Sequence, residues 1–126
     1  MLSTSSPIAF IATAAPERAR AFYADTLGLT LITEDDFSLV FDLHGVPLRI
    51  QKVRELQPHP FTTLGWQVAN AADTVASLRQ RGVAFERYPF LQQDEHDIWD
   101  APGGARIAWF KDPDGNLLSL TEVRVA

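Results

Sequence analysis

The stretch FTTLGWQVANAADTVASLRQRGVAFERY, residues 61–88, sets a strand, a helix and a second strand in immediate succession. FTTLGWQVA (61–69) reads as a pleated strand by its alternation. Asn70, with Asp73 three positions on, supplies the short polar side chains that satisfy free N–H groups at a helix start. Ala71, Val75 and Leu78 recur at helical spacing on one face, and Gly82 provides the stop. VAFERY (83–88) predicts the next strand. Farther on come a long connection, ARIAWFK (105–111) as a strand, a DPDG turn, and NLLSLTEV (116–123) as the last strand.

Working back toward the start, the same order appears. PIAFIAT (7–13) is strand-like, Pro16 suits a first helical turn, and Ala19, Phe22, Tyr23 and Leu27 form one apolar stripe before Gly28. Three strands are predicted next: TLITE (30–34), FSLVFDL (37–43) and VPLRIQKV (46–53), with His44 and Gly45 at a hairpin tip. The polar segment ELQPHP (55–60), with two prolines, reads as a linker. The chain is thus expected to be one α+β domain of two tandem β-α-β-β-β modules, the first at about 7–54 and the second at about 61–124.

Composition narrows the function classes. The chain has 126 residues, is 46% hydrophobic and 21% charged, and contains no cysteine. A disulfide framework, a thiolate metal site and a cysteine nucleophile are therefore excluded. Its net charge of −5 argues against phosphate-driven nucleic-acid binding and against an anionic membrane surface. No basic leader followed by a long apolar stretch opens the sequence, so a cytoplasmic protein is expected. There is no GxSxG, GxGxxG or GxxxxGK pattern, and DPDG alone lacks the later acids of a calcium loop.

The strings PERARAFYADTLGL (16–29) and WFKDPDGNLLSLTE (109–122) resemble the vicinal oxygen chelate superfamily, which includes glyoxalases, bleomycin-resistance proteins and extradiol dioxygenases. The resemblance runs from about Ile8 to Glu122. It implies modules curled into partial barrels whose concave faces hold the ligand, and it implies a homodimer. Metal-dependent members place His, Glu or Gln ligands on the first and last strands of each module. Carried over position by position, those places fall on Ile8, on or near Arg49, on or near Thr63, and on Ser119. None offers the imidazole or carboxylate donor a divalent ion requires, so the resemblance is to a metal-less subgroup, with no metal and no cofactor expected. Glu122, three residues past Ser119, should face the other way. His44, His59 and His96 sit in loops and read as solvated residues.

In the family's frame, Ile8, Phe10, Arg49, Gln51, Thr63, Gly65, Gln67, Leu117, Ser119 and Thr121 face the concave side. Ile11, Leu48, Ile50, Leu64, Trp66, Leu118 and Leu120 face the helices. Polar groups on a partly enclosed face need partners, which points to a small polar ligand or bound water. Arg49 has two readings: it recognises a carboxylate or phosphate, or it pairs internally with an acid such as Asp42. FLQQDEHDIWDAPGG (90–104) is long enough for a lid. Its Trp99 either closes over a planar ligand, with Tyr88 and Trp109 as further walls, or packs the loop onto the sheet.

The expected ligand-binding residues are therefore Phe10, Arg49, Gln51, Thr63, Gln67, Trp99, Trp109, Ser119 and Thr121, with no catalytic residue assigned. The expected function is metal-free binding of a small organic molecule, with an anion allowed by Arg49. The alternative is a glyoxalase-like lyase, isomerase or dioxygenase that holds a metal through displaced donors such as His44, His96 or Glu122. A metal-free enzyme using Arg49 for acid–base work is a third reading.

Overall fold

The computed structural model describes residues 1–123; the expected end of the second module, at residue 124, lies outside them. The chain divides into two units, Met1–Gln57 and Pro58–Ala126, and each holds a four-stranded mixed sheet.

In the first unit β1 (Ala9–Thr13) leads to α1 (Pro16–Ala21), then β2 (Thr30–Glu34), β3 (Ser38–Leu43) and β4 (Val46–Lys52). The strand order is β1-β4-β3-β2, with β1 parallel to β4 and the other pairs antiparallel. Pro16 opens α1, where its missing N–H costs nothing. The helix is shorter than its apolar stripe predicts, because residues Phe22–Thr26 widen into a π turn in which the Leu27 N–H donates to the Phe22 carbonyl. The β3–β4 hairpin turns at His44 and Gly45, both at positive φ (52° and 94°), and the Asp42 carboxylate accepts the Gly45 N–H. Tyr23, Leu39, Phe41, Leu48 and Ile50 are fully buried, and the Tyr23 ring lies 5.9 Å from that of Phe41.

The second unit contains β5 (Thr62–Gln67), α2 (Ala71–Gln80), β6 (Trp99–Asp100), β7 (Ala105–Lys111) and β8 (Leu117–Val123), in sheet order β5-β8-β7-β6. α2 starts under a double cap: the Asn70 side chain accepts the Asp73 N–H at 3.0 Å, and the Glu122 carboxylate accepts the Ala71 N–H at 2.8 Å. It packs on β7 and β8, and Val75 and Leu78 of the helix are buried, as are Phe110 and Leu118 of the strands. Phe110 is flanked by Trp66 at 6.3 Å and Phe85 at 5.4 Å. The DPDG turn is built around Asp112, whose carboxylate accepts the N–H groups of Asp114 and Asn116 and the Asn116 side-chain amide. No described helix is long and apolar enough to cross a membrane.

One expected strand does not form. VAFERY (83–88) makes only an isolated bridge, Phe85 to Phe110, and the Glu86 N–H donates to the Trp109 carbonyl. The reason lies five to seven residues downstream, where the Gln93 amide donates to the Glu86 carbonyl and accepts the Tyr88 N–H. A side chain thus satisfies backbone groups that a ladder would otherwise pair. The named edge strand is instead Trp99–Asp100, drawn from the long connection.

Replacing Phe110, which is 0% exposed, with alanine is expected to cost about 3–5 kcal/mol, measured as a drop in the urea midpoint at unchanged slope. A loss below about 1 kcal/mol would contradict its place in the core.

Candidate functional site

Strand alternation divides the residues of each sheet between a helix-covered face and an open one. In the second unit Leu118 and Leu120 are buried on the helix side, and alternation puts Leu117, Ser119 and Thr121 on the opposite side of β8, where Leu117 and Ser119 are themselves buried and Thr121 is half-buried. Cross-strand register then sets two open-face rows. Gly65, Ser119 and Trp109 form one, and Gln67, Thr121, Ile107 and Trp99 form the other. Trp99 and Trp109 are diagonal neighbours whose rings stack with centroids 6.1 Å apart and planes at 29°. Tyr88 meets Trp109 edge-on at 5.6 Å, and Phe90 lies 5.5 Å beyond Tyr88. Tyr23, Phe41 and Phe110 are fully covered, whereas Trp99, Trp109 and Tyr88 are half-buried, as are Trp66 and Phe85 on the helix side.

Five of the expected site residues therefore share this face: Gln67, Trp99, Trp109, Ser119 and Thr121. Thr63 occupies a different place. The β5–β8 register jumps between Thr62 and Leu64, making Thr63 the extra residue of a bulge, and its hydroxyl donates to the Leu117 carbonyl at 3.2 Å. Gly65 lies directly opposite Ser119, and a Cβ there would stand 2.6 Å from the serine hydroxyl oxygen.

The connection bearing Trp99 is latched. Asp94 accepts the N–H groups of His96 and Ile98 and pairs with Arg106, which also holds Asp100. Asp97, at φ 59°, pairs with both Arg79 of α2 and Arg87. The Arg87 guanidinium also donates to the Gln93 and Asp94 carbonyls. Ile98, only 2% exposed, anchors the segment in the core. Packing of the loop thus falls to Ile98, and Trp99 is presented on the open face in a preset position. Burial alone would raise the Asp94 carboxyl. The N–H donors of Ile98 and His96, with the Arg106 and His96 charges, outweigh it and hold that carboxyl below its ordinary value.

At the Lys111–Leu117 end of the same face is a cavity of about 390 Å³, lined by Pro58, His59, Pro60, Glu86, Tyr88, Lys111, Gly115 and Leu117. Lys111 pairs with Glu86 at 3.2 Å. Burial, aided by the Glu86 charge and opposed by Lys111, pushes the Tyr88 phenol above its ordinary range. Sequence reasoning takes His59 as part of a linker and leaves Glu86 and Lys111 out. The available signal was the two-residue step from Trp109 to Lys111, which puts both on one face.

In the first unit Phe10 and Arg49 are cross-strand neighbours, with Gln51 two residues along on the same exposed face. Arg49 makes no side-chain hydrogen bond or ion pair among the described residues. Asp42, its expected internal partner, instead receives the Gly45 N–H.

The donor set does not fit a divalent metal. Ile8 has no donor, Arg49 is cationic, and Thr63 and Ser119 carry hydroxyls, of which the first is bonded to a carbonyl. Glu122 reaches the helix side, where it caps α2. His44 is at a hairpin tip, His59 stacks on Phe61 at 4.9 Å, and His96 lies in the latched loop. Among the described residues no three His, Asp or Glu side chains are grouped to hold an ion.

Comparison with known proteins gives a consistent picture. The family model for the glyoxalase/bleomycin resistance protein/dioxygenase superfamily matches residues 6–120. No curated protein sequence matches the chain. Among solved structures, the bleomycin resistance determinant encoded on transposon Tn5 is 18% identical, covering 97% of this chain and 100% of its own, with a TM-score of 0.75. A glyoxalase family protein from Enterococcus faecalis is 21% identical over 97% and 100%, TM-score 0.75. A lactoylglutathione lyase from Agrobacterium tumefaciens is 14% identical over 95% of each chain, TM-score 0.73. At these identities the likeness is one of fold.

The latch gives a pH signature. A carboxyl whose folded pKa lies below the ordinary 3.8 stabilises fully above about that pH, and the contribution is lost as pH falls through the lowered value. Tryptophan emission is expected to stay constant from pH 7 to about 4 and to shift below it. Asp94→Asn should shift it already at pH 7 and flatten the acid change. Identical emission from Asp94→Asn and the parent at pH 7 would contradict the latch.

Proposed function

Since this chain belongs to the glyoxalase/bleomycin resistance protein/dioxygenase superfamily, we propose that it binds a small planar organic molecule on the open face of its second sheet, without a metal. The observation that carries this reading is the stacked, half-buried pair Trp99 and Trp109. Large aromatic rings that folding leaves partly uncovered, beside a few fixed polar groups, are the ordinary composition of a small-molecule site. Gln67 and Thr121 supply hydrogen bonds to the ligand's edge, with the buried Ser119 packed beneath Gly65, and Tyr88 adds a perpendicular wall. Taken by itself, the first sheet's exposed Arg49, which lies beside Phe10 and Gln51 and acts on the Asp35 carboxylate, gives a separate place for an anionic group.

Binding rests on shape, stacking and hydrogen bonds, and no bond need be broken. The Tn5 bleomycin resistance determinant, with the same fold, shows that such a scaffold serves in resistance. The lactoylglutathione lyase from Agrobacterium tumefaciens shows that it also serves catalysis. The donor set of this chain favours the first use.

Calorimetric titration with 2-(2-naphthyl)ethanol tests the reading, since this probe has a flat ring and one hydroxyl. Trp99→Ala and Trp109→Ala should each weaken binding about tenfold, equivalent to about 1.4 kcal/mol, while the far-ultraviolet spectrum is unchanged. Equal affinity in the parent and both variants would refute it.

A further inference from the structure

We propose that the cavity beside the tryptophan pair is a subsite for a zwitterionic tail, so that the preferred ligand is an aromatic α-amino acid or a compound ending in one. The inference rests on the proposed stacking site and adds to it the chemistry of the group that the stacked ring must carry. Tyr88 belongs to both places: it meets Trp109 edge-on at 5.6 Å and lines the cavity. A ring seated on the tryptophans therefore directs its substituent past Tyr88 toward Glu86 and Lys111.

Those two side chains set the selectivity. They stand 3.2 Å apart, with 30% and 54% of their side-chain surface exposed, so they present opposite charges side by side at the cavity. An exposed pair of this kind contributes little to folding, and a ligand can open it cheaply. A carboxylate alone would gain Lys111 and be repelled by Glu86, and an amine alone would meet the reverse. A ligand bearing both places its ammonium at Glu86 and its carboxylate at Lys111, leaving every charge opposed by its complement. The Tyr88 phenol, pushed above its ordinary range, stays a neutral hydroxyl beside them. The Pro58-His59-Pro60 segment also lines the cavity; the His59 ring stacks on Phe61 with planes at 11° and Pro58 lies against Gly115. A Cβ on Gly115 would approach Pro58 Cγ to 3.1 Å.

Four probes sharing one ring separate the subsite from the stacking site: 3-(2-naphthyl)alanine, 3-(2-naphthyl)propionate, 2-(2-naphthyl)ethylamine and the neutral 2-(2-naphthyl)ethanol, each titrated calorimetrically into the full chain at pH 7. The amino acid is expected to bind at least tenfold more tightly than either singly charged probe. Glu86→Gln should remove that advantage and improve binding of the propionate. Lys111→Gln should remove it and improve binding of the amine. These opposite responses distinguish charge recognition from general damage to the face. Equal binding of all four probes would overturn the subsite and leave the stacking reading intact, as would an amino-acid preference that survives both variants. Failure of every probe to bind would overturn both.

Discussion

The period-two alternation of β4 and β8 is the constraint on which the rest of the structure depends. Each is an inner strand with a parallel neighbour on one side and an antiparallel neighbour on the other. Each commits alternate residues, Leu48 and Ile50 or Leu118 and Leu120, to the buried layer. Burying those aliphatic side chains is the dominant favourable term in folding such a unit. A one-residue slip would expose them and bury Arg49 or Thr121 instead. On β4 the intervening Arg49 and Gln51 are exposed, whereas on β8 the intervening Leu117 and Ser119 are themselves buried and Thr121 is half-buried.

That same constraint fixes what the open face can do. The places to which the resemblance carries the family's metal ligands, at Ile8, on or near Arg49, on or near Thr63 and at Ser119, hold alkyl, guanidinium or hydroxyl side chains. At the last of them, the Ser119 hydroxyl fills the notch left by Gly65 across the strand. The one acid nearby in sequence, Glu122, lies on the helix side and caps α2. Glu122 thus has structural work, and the groups left on the second sheet's open face are aromatic rings, neutral hydrogen-bonding side chains and the Glu86–Lys111 pair. The arginine latch around Asp94 and Asp97 holds the segment that bears Trp99, and under the proposed reading that preorganisation lowers the ordering cost of binding.

Much of the fold was legible because its signals are local. The hairpin at His44–Gly45, the caps at Asn70, the DPDG turn and the alternation of FSLVFDL and NLLSLTEV each depend on a few adjacent residues. The edge of the second sheet was not legible in the same way. Whether VAFERY pairs as a strand depends on a glutamine amide that reaches back from residue 93, and nothing in the six residues themselves announces it. At Thr63 a bulge resets the register of β5, and bulges leave little trace in a pattern of threonines. Alternation and register place Gln67, Ser119, Thr121 and Trp109 on one face of the second sheet, and the long connection brings Trp99 beside Trp109. The Glu86–Lys111 pair and His59 went unseen because their meeting requires the DPDG turn and the 58–60 segment to be folded first.

The absence of a resident divalent ion is the central claim, and metal content tests it most directly. Elemental mass spectrometry of the chain purified without chelators or metal-affinity steps should find well under one equivalent of nickel, zinc, iron or manganese, and naphthyl-probe affinity should be the same before and after EDTA treatment. One equivalent of such a metal per chain, with probe binding lost on chelation and restored by adding the metal back, would contradict the account.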